Sequence, residues 1–547
     1  MTRRNFIKLS GATAASLSPI ARIGAGLGVS SQLVSASETF SDYKALVVVF
    51  LDGGNDSMNM IIPTNTDRHS EYQTIRGEYA LDDNGQATNT GLGIANNDLY
   101  SKLDTDTDTK HFKYNADNGH PYADTEQDGD GKSDEAVRSY RKGLYDTGAD
   151  LGINSMMPEL AAMYKKGNVA IVSNVGTLVK PIVKADTEDP SNLPVFLFAH
   201  NHQKRAVYTA QAETLGSTGW AGKIADAWNV NDPVGLNLTY GDVNRMLIGT
   251  STSPLKMPTS DPVSFETINT SDRGDILESL FQRFDNIAKT DAFSRYYSSR
   301  ITKAGNLSTT LINGMKNAPV FSDFTAKNAY GNDLFTYEKN GNGEKFTSET
   351  VGLQTHDDIR GNIFDQFRAA SEMIKVGKDE LNHSRQIIYI RMPGYDSHSS
   401  QAANHLINLR SLSMAMGDFQ KSLEEMGLAD KVLTTTMSEF GRTLQNNNDG
   451  TDHGWGGHQF IMCGDEDFNG GNVYGTVMTD LTLDGANTYT KKGRIIPTTS
   501  IEQMISPCLK WFGVSDDLMA TALPNLKNFT GDNDNGNTAN LAGMFNS

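Results

Sequence analysis

A chain of 547 residues is long for one ordinary hydrophobic core, but it suits a single large α/β domain carrying insertions. Its 37% hydrophobic content and mean hydropathy of -0.44 describe a soluble globular protein. The formal charge of -18 excludes the basic footprint that nucleic-acid binding or adhesion to an anionic membrane surface requires.

The N-terminal stretch "MTRRNFIKLSGATAASLSPIARIGAGLGVSSQLVSAS" joins paired Arg3 and Arg4 to Phe6-Ile7-Lys8, then to a weakly apolar run rich in Gly, Ala and Ser. Val34 to Ala36 supplies a small-residue cleavage site. Residues 1–36 therefore resemble a twin-arginine export signal, with the twin-arginine export machinery as the implied partner. Removing them takes away four basic residues and no acid, which deepens the net charge from -18 to -22. Substrates of this route cross folded, often with a metal or cofactor already bound. Beyond the leader no run reaches the roughly 18 apolar residues of a membrane span. The expectation is an exported protein, periplasmic or extracellular, without a stable membrane anchor. Cys463 and Cys508 could pair in an oxidising compartment or stay as two buried thiols.

One domain is expected over residues 41–530. It opens with Ala45–Leu51, a continuous apolar run of the kind buried on both faces of a parallel sheet, and ends in Asp52-Gly53-Gly54. Residues 65–135 form a polar insertion. Within it, "DTEQDGDGKSDE" sets Asp124, Glu126, Asp128, Asp130, Asp134 and Glu135 around glycines, in the manner of an EF-hand-like calcium loop. Registers starting at Asp124 or at Glu126 both fit in part, because Gly131 or Val137 falls on a critical position. The alternatives are a calcium site and a solvated acidic loop. A second strand is predicted at Gly167–Gly176, and a second insertion at 225–350.

Ile363, Phe367, Ala370 and Ile374 share one helical face, and "RQIIYIRMPGYDSH" (385–398) follows as a strand and its terminal loop. Leu409, Leu412, Met416, Phe419 and Leu423 mark the next helix, which Gly427 ends before the strand in Lys431–Gly441. A strand–helix–strand unit demands parallel strands and a crossover. "GHQFIMCG" is a fifth strand, and the Asn/Asp/Gly-rich residues 531–547 are a flexible tail.

Parallel sheets place ligands outside the carboxyl ends of their strands. That edge gathers Asp52, Asp56, Asp396, His398, Glu439, Asp452 and His453, with His458 near them. Carboxylates with imidazoles, and no cysteine, suit one or two divalent ions of Zn, Mn, Fe or Mg. So many acids in one place also need a cation to offset them.

"LVVVFLDGGNDSMNMIIP", "NVGTLVKP", "GYDSHSSQ", "SEFGRT" and "GTDHGWGGH" together, in this order, resemble the domain-of-unknown-function family 1501, which is related to the alkaline phosphatase and sulfatase superfamily. The resemblance runs from about residue 43 to 515, outside the insertions. It implies an alkaline phosphatase-like three-layer α/β/α fold with a mostly parallel sheet. It also implies a metal centre that hydrolyses a phosphate or sulfate ester on a small molecule or polymer. Asp56 is favoured over Asp52 as the first-strand ligand, because the Gly-Gly-x-Asp-x-x-Asn pattern persists among relatives. Asp396 and His398 resemble an acid and an imidazole on one metal, and His453 the late metal-binding histidine. Phe440 after Glu439 departs from the usual Asp-His and weakens a second metal. Asn201-His202 in "FAHNHQKR" stands where relatives show Ser-His, and Asn cannot form a phospho-enzyme. Thr177 and Thr209 are substitute hydroxyls. The alternatives are direct attack by water activated at the metal, or a non-catalytic periplasmic or surface protein that retains the fold and metal for binding or assembly.

Overall fold

The computed structural model of the chain describes residues 39–77, 91–94, 96, 98–100, 143–260 (except 229 and 231–233), 307–328 (except 308), 332–339, 344–345, 359–529 (except 449) and 537–546. Residues 1–36, expected to be an export signal, and the acidic stretch Asp124–Glu135, expected to be a calcium loop, lie outside the described residues.

Nine strands form the central sheet: β1 (Lys44–Asp52), β2 (Val169–Gly176), β3 (Asn237–Thr239), β4 (Leu255–Lys256), β5 (Arg385–Pro393), β6 (Val432–Met437), β7 (Gly457–Cys463), β8 (Val473–Tyr474) and β9 (Thr499–Ser500). Their order is β8-β2-β7-β6-β1-β5-β3-β4, with β9 also paired to β2. β1 lies between β5 and β6 and runs parallel to both, with Lys44 opposite Arg385 and Ala45 opposite Val432. The helix between β5 and β6 therefore carries the chain across β1 and does not join adjacent strands. β7 is antiparallel to β6 and to β2.

Side chains of β1 alternate between two cores, as a pleated strand requires. Val47, Val49 and Leu51 pack with α2 (Pro158–Lys165), α5 (Gly361–Asp379) and α6 (Gln401–Glu425), through Leu160, Phe367, Ile374, Leu412 and Phe419. Leu46, Val48 and Phe50 pack on the other face with α4 (Trp220–Trp228) and α7 (Ile501–Phe512), through Trp220, Ile224, Met504 and Leu509. Each such side chain, fully buried, contributes about 1.5–3 kcal/mol. The result is an α/β fold: a mixed, mostly parallel sheet with helices on both faces. Among the described residues no helix is long and apolar enough to cross a membrane.

Two features differ from the sequence reading. The polar stretch after residue 65 begins with a helix, α1 (Thr66–Arg76), whose cap Asn65 accepts a hydrogen bond from the Asp67 amide at 3.2 Å. Its buried residues are His69, Tyr72 and Arg76, so polarity along the chain hides it. The tail is also docked: Asn537–Ala542 is helical, and Leu541 and Met544 are buried in the second core. Two apolar anchors outweigh the polar residues before them. Cys463 and Cys508 are both free and buried in that core, and burial pushes the Cys463 thiol up to about 12.

Candidate functional site

β1, β5 and β6 run parallel, so their carboxyl ends reach one edge together. From β1 the chain enters Gly53, whose φ of +125° lies in the region that favours glycine. A Cβ on Gly53 would stand 2.2 Å from the Asp396 amide nitrogen, so only glycine lets the loop after β5 approach β1 and set Asp396 at the edge. After β6, the residue pair Ser438-Glu439 turns inward, and Glu439 is fully buried against the Gly53 amide, whose nitrogen donates to Oε1 at 3.1 Å.

A two-stranded hairpin, Arg442–Asn446 with Thr451–His453, then pairs Arg442 with His453. Gly454 follows, and a Cβ there would meet the Arg442 backbone at 2.5 Å. The glycine lets the hairpin close with His453 turned toward the strand ends. The last contributor is α3 (His200–Thr209), whose first residue is His200. Before α3 the backbone doubles back, with Phe196 and Phe198 in the left-handed region at φ +52° and +71°.

Four side chains converge. One ligand atom each from His200, Asp396 and His453 lie within 4.8 Å of one another. The His453 Nε2 is 3.0 Å from the His200 Nε2, 2.9 Å from the His398 Nε2 and 3.2 Å from the Asp396 Oδ1. His398 Nε2 is itself 3.1 Å from Asp396 Oδ1.

The outer nitrogens of two rings are committed elsewhere. His453 Nδ1 donates to the Phe198 carbonyl at 2.8 Å, because a carbonyl can only accept. His200 Nδ1 donates to the Glu439 carboxylate at 2.8 Å. In the neutral tautomers both Nε2 atoms are then bare lone pairs facing each other, an arrangement that is unfavourable without a proton or a cation between them.

The electrostatics are graded. The hydrogen bond to Glu439 lifts His200 above the usual imidazole range, against its partial burial. Burial pushes His453 down, a shift that the Phe198 carbonyl only partly opposes. Burial alone would raise the Asp396 carboxyl, but the hydrogen bond and charge of Arg442, then the charges of His200 and His398, hold it below the usual range. Arg442 has a fully buried side chain and donates to Asp396 Oδ1 at 2.9 Å.

The remaining residues named from sequence fall elsewhere. Asp56 does not join the cluster: it is fully buried and paired with Arg76 of α1, whose Nη2 donates to Asp56 Oδ1 at 2.8 Å, and its Oδ2 accepts from Arg76 and from Gln401. Asp56, the first-strand ligand expected ahead of Asp52, is thus held away from the cluster with both oxygens engaged by Arg76 and Gln401. It stands behind the site, at the far end of a chain of hydrogen bonds. Thr451 donates to Gln401 at 2.6 Å, Arg442 donates to Thr451 Oγ1 at 3.1 Å, and Arg442 reaches Asp396.

Asp52 is at the edge, but its oxygens contact Lys204 and Arg391. Glu439 stands behind His200 and orients it. Asp452 sits on the rim, 2.7 Å from Lys492 and 3.7 Å from His398 Nδ1. His458 is buried in the strand core, where its Nδ1 accepts from the Asn174 amide at 3.3 Å. Asn201 is exposed and His202 stacks on Phe196, with ring centroids 4.1 Å apart. Thr177 and Thr209 are buried and donate to Gln203 and to the Arg205 carbonyl.

His200 escaped the sequence reading, which took the two residues after it. The signal was the spacing of His200 and Lys204, four apart on one helical face, in "FAHNHQKR".

No curated protein matches this sequence at a significant level. Among solved structures, the chain is similar to "Crystal structure of Ps i-CgsB" at 9% identity and a TM-score of 0.28, over 68% of this chain and 71% of that one. The structure titled "Crystal structure of Ps i-CgsB in complex with k-i-k-neocarrahexaose" matches with the same identity, TM-score and coverage. Likeness at this level carries no argument about fold or activity. The segment that supplies β5, α6, β6, Asp396, His398, Glu439 and His453 is the part that a family model recognises: residues 378–487 match DUF1501, described as a protein of unknown function.

Proposed function

We propose that this chain is an exported, divalent-cation-dependent hydrolase of phosphate or sulfate esters. His200, Asp396, His398 and His453 would hold the cation. The observation that carries the reading is the convergence of the Nε2 atoms of His200 and His453, 3.0 Å apart with their outer nitrogens held by Glu439 and the Phe198 carbonyl, together with His398 and Asp396. Nitrogen and carboxylate donors of this kind suit Zn, Mn, Fe or Mg. A bound cation supplies Lewis acidity toward an ester oxygen.

The protein's own groups do the rest. Glu439 and the Phe198 carbonyl hold two imidazoles in one tautomer. Arg442 fixes the Asp396 carboxylate. Lys204, with a side chain one-quarter exposed, places a positive charge beside the site, where it favours an anionic ester. The related superfamily of the sequence resemblance adds the reaction class. An alkaline phosphatase-like arrangement of the sheet belongs to the same proposal.

One observation favours a second reading, a binding or assembly protein that keeps the cation. The helix start offers Asn201, and the hydroxyls of Thr177 and Thr209 are buried and engaged, so none of the nucleophiles considered from sequence faces the cluster. Assay of phosphate and sulfate monoesters separates the two. Turnover that disappears on chelation and returns with Zn2+ or Mn2+ is the expected result. Cation-loaded protein inert toward every monoester in the panel would favour the binding reading.

A further inference from the structure

The ester hydrolase proposal leaves open whether the site takes one cation or two, and the residues around Asp52 bear on it. Asp52 and Glu439 are the two acids at the strand ends that a second cation would use. Asp52 is nearly buried, with Oδ1 in contact with Lys204 Nζ and Oδ2 held by Arg391, whose Nε and Nη2 both lie at 2.5 Å. Glu439 Oε1 accepts from His200 Nδ1 at 2.8 Å and from the Gly53 amide at 3.1 Å, with Lys204 Nζ at 3.8 Å. Its Oε2 shares the Gly53 amide at 3.2 Å and lies 3.3 Å from the Ser438 hydroxyl, which donates to the Leu51 carbonyl at 2.7 Å.

Each of these carboxylate oxygens therefore already has a donor, and two fixed cations, Lys204 and Arg391, stand among Asp52, Glu439 and Asp242, whose Oδ2 is 2.9 Å from Arg391 Nη1. A dication entering here would meet an ammonium within a few ångströms in a poorly solvated pocket, where like charges repel strongly. Phe440, next to Glu439, adds no donor of its own, and its ring packs 4.8 Å from the rings of both His200 and His453. Lys204 is held in place by α3 itself, one turn beyond His200 on the same face.

We propose that the centre takes a single divalent cation, bound by His200, Asp396, His398 and His453, and that Lys204 is the site's built-in second positive charge, excluding another metal from Asp52 and Glu439. This rests on the cation-binding reading above. It also makes Lys204 a fixed contact for the anionic group of a substrate on the side of the site away from the metal.

The test is a calorimetric titration of cation-stripped full-length protein with Mn2+ alone. Wild type is expected to take one equivalent. Lys204→Met, which keeps the length of the side chain without its charge, is expected to take a second, weaker equivalent, and Lys204→Arg to return to one. Two equivalents in wild type would overturn the inference while leaving the cation site intact. One equivalent in both wild type and a folded Lys204→Met would overturn the role of Lys204. No binding in wild type would overturn the inference together with the cation-binding reading beneath it, which distinguishes that failure from the other two.

Discussion

Replacement of Asp56 by alanine is expected to destabilise the fold by about 3–5 kcal/mol, the usual cost of leaving one partner of a buried ion pair without its counterion. The guanidinium of Arg76 has no solvent exposure, and Asp56 has none either. Burial alone would raise the Asp56 carboxyl, but the charge and hydrogen bond of Arg76 hold it below the usual range, so it is ionised when folded. Without it, Arg76 would be a charge in the core between α1 and the loop after β1. Urea unfolding of cation-stripped protein measures the loss. His398→Ala serves as the comparison, because the His398 side chain is about half exposed and its removal should change stability by roughly 0.5 kcal/mol or less. Equal stability of Asp56→Ala and wild type would contradict the structural role and reopen Asp56 as a ligand.

The second large effect falls on cation binding. His453 is the hub of the cluster: its Nε2 is within 3.2 Å of His200, His398 and Asp396, and its Nδ1 is tied to Phe198. Loss of a residue that only orients a metal ligand costs 10–100-fold in affinity, so His453→Ala, which removes a ligand, should weaken Zn2+ affinity by about 100-fold or more. At a cation concentration one hundred times the wild-type dissociation constant, wild type gains about 2.7 kcal/mol of stability from binding. The variant should lose most of that gain. Competition with a chelator of known affinity reads the first effect, and thermal melts with and without Zn2+ read the second. A His453→Ala protein that binds Zn2+ like wild type would place the cation elsewhere.

Sequence made the framework of this site readable because its parts lie directly after strands. A seven-residue β-branched-rich run such as Ala45–Leu51 fits a doubly covered strand, and parallel neighbours must end at one edge. That logic brought Asp396, His398 and His453 to the same place before any coordinates. Side-chain direction was not readable by the same means. Asp56 is four residues past Asp52, yet the turn at Gly53 and Gly54 points it into the protein, and its partner Arg76 lies in a segment read as a polar insertion. Helix α1 was hidden because its buried face uses His69, Tyr72 and Arg76 where a sequence reading looks for aliphatic side chains.

Glu439 illustrates a finer limit. Its place after β6 was legible, but its distance from the cluster depends on His200 entering between them from α3, some 240 residues earlier in the chain (the pair is separated by 239 positions). No local pattern announces such a contact. Order along the sheet was equally opaque. The helix between β5 and β6 implied parallel strands, but nothing local indicated that β1 would lie between them.

Anomalous diffraction from crystals grown with Zn2+, recorded on both sides of its absorption edge, is the most direct test of the site. The account predicts a single peak bounded by the Nε2 atoms of His200, His398 and His453 and by the carboxylate of Asp396, with Lys204 still against Asp52. A peak between Asp52 and Glu439, or none within reach of His453, would contradict it.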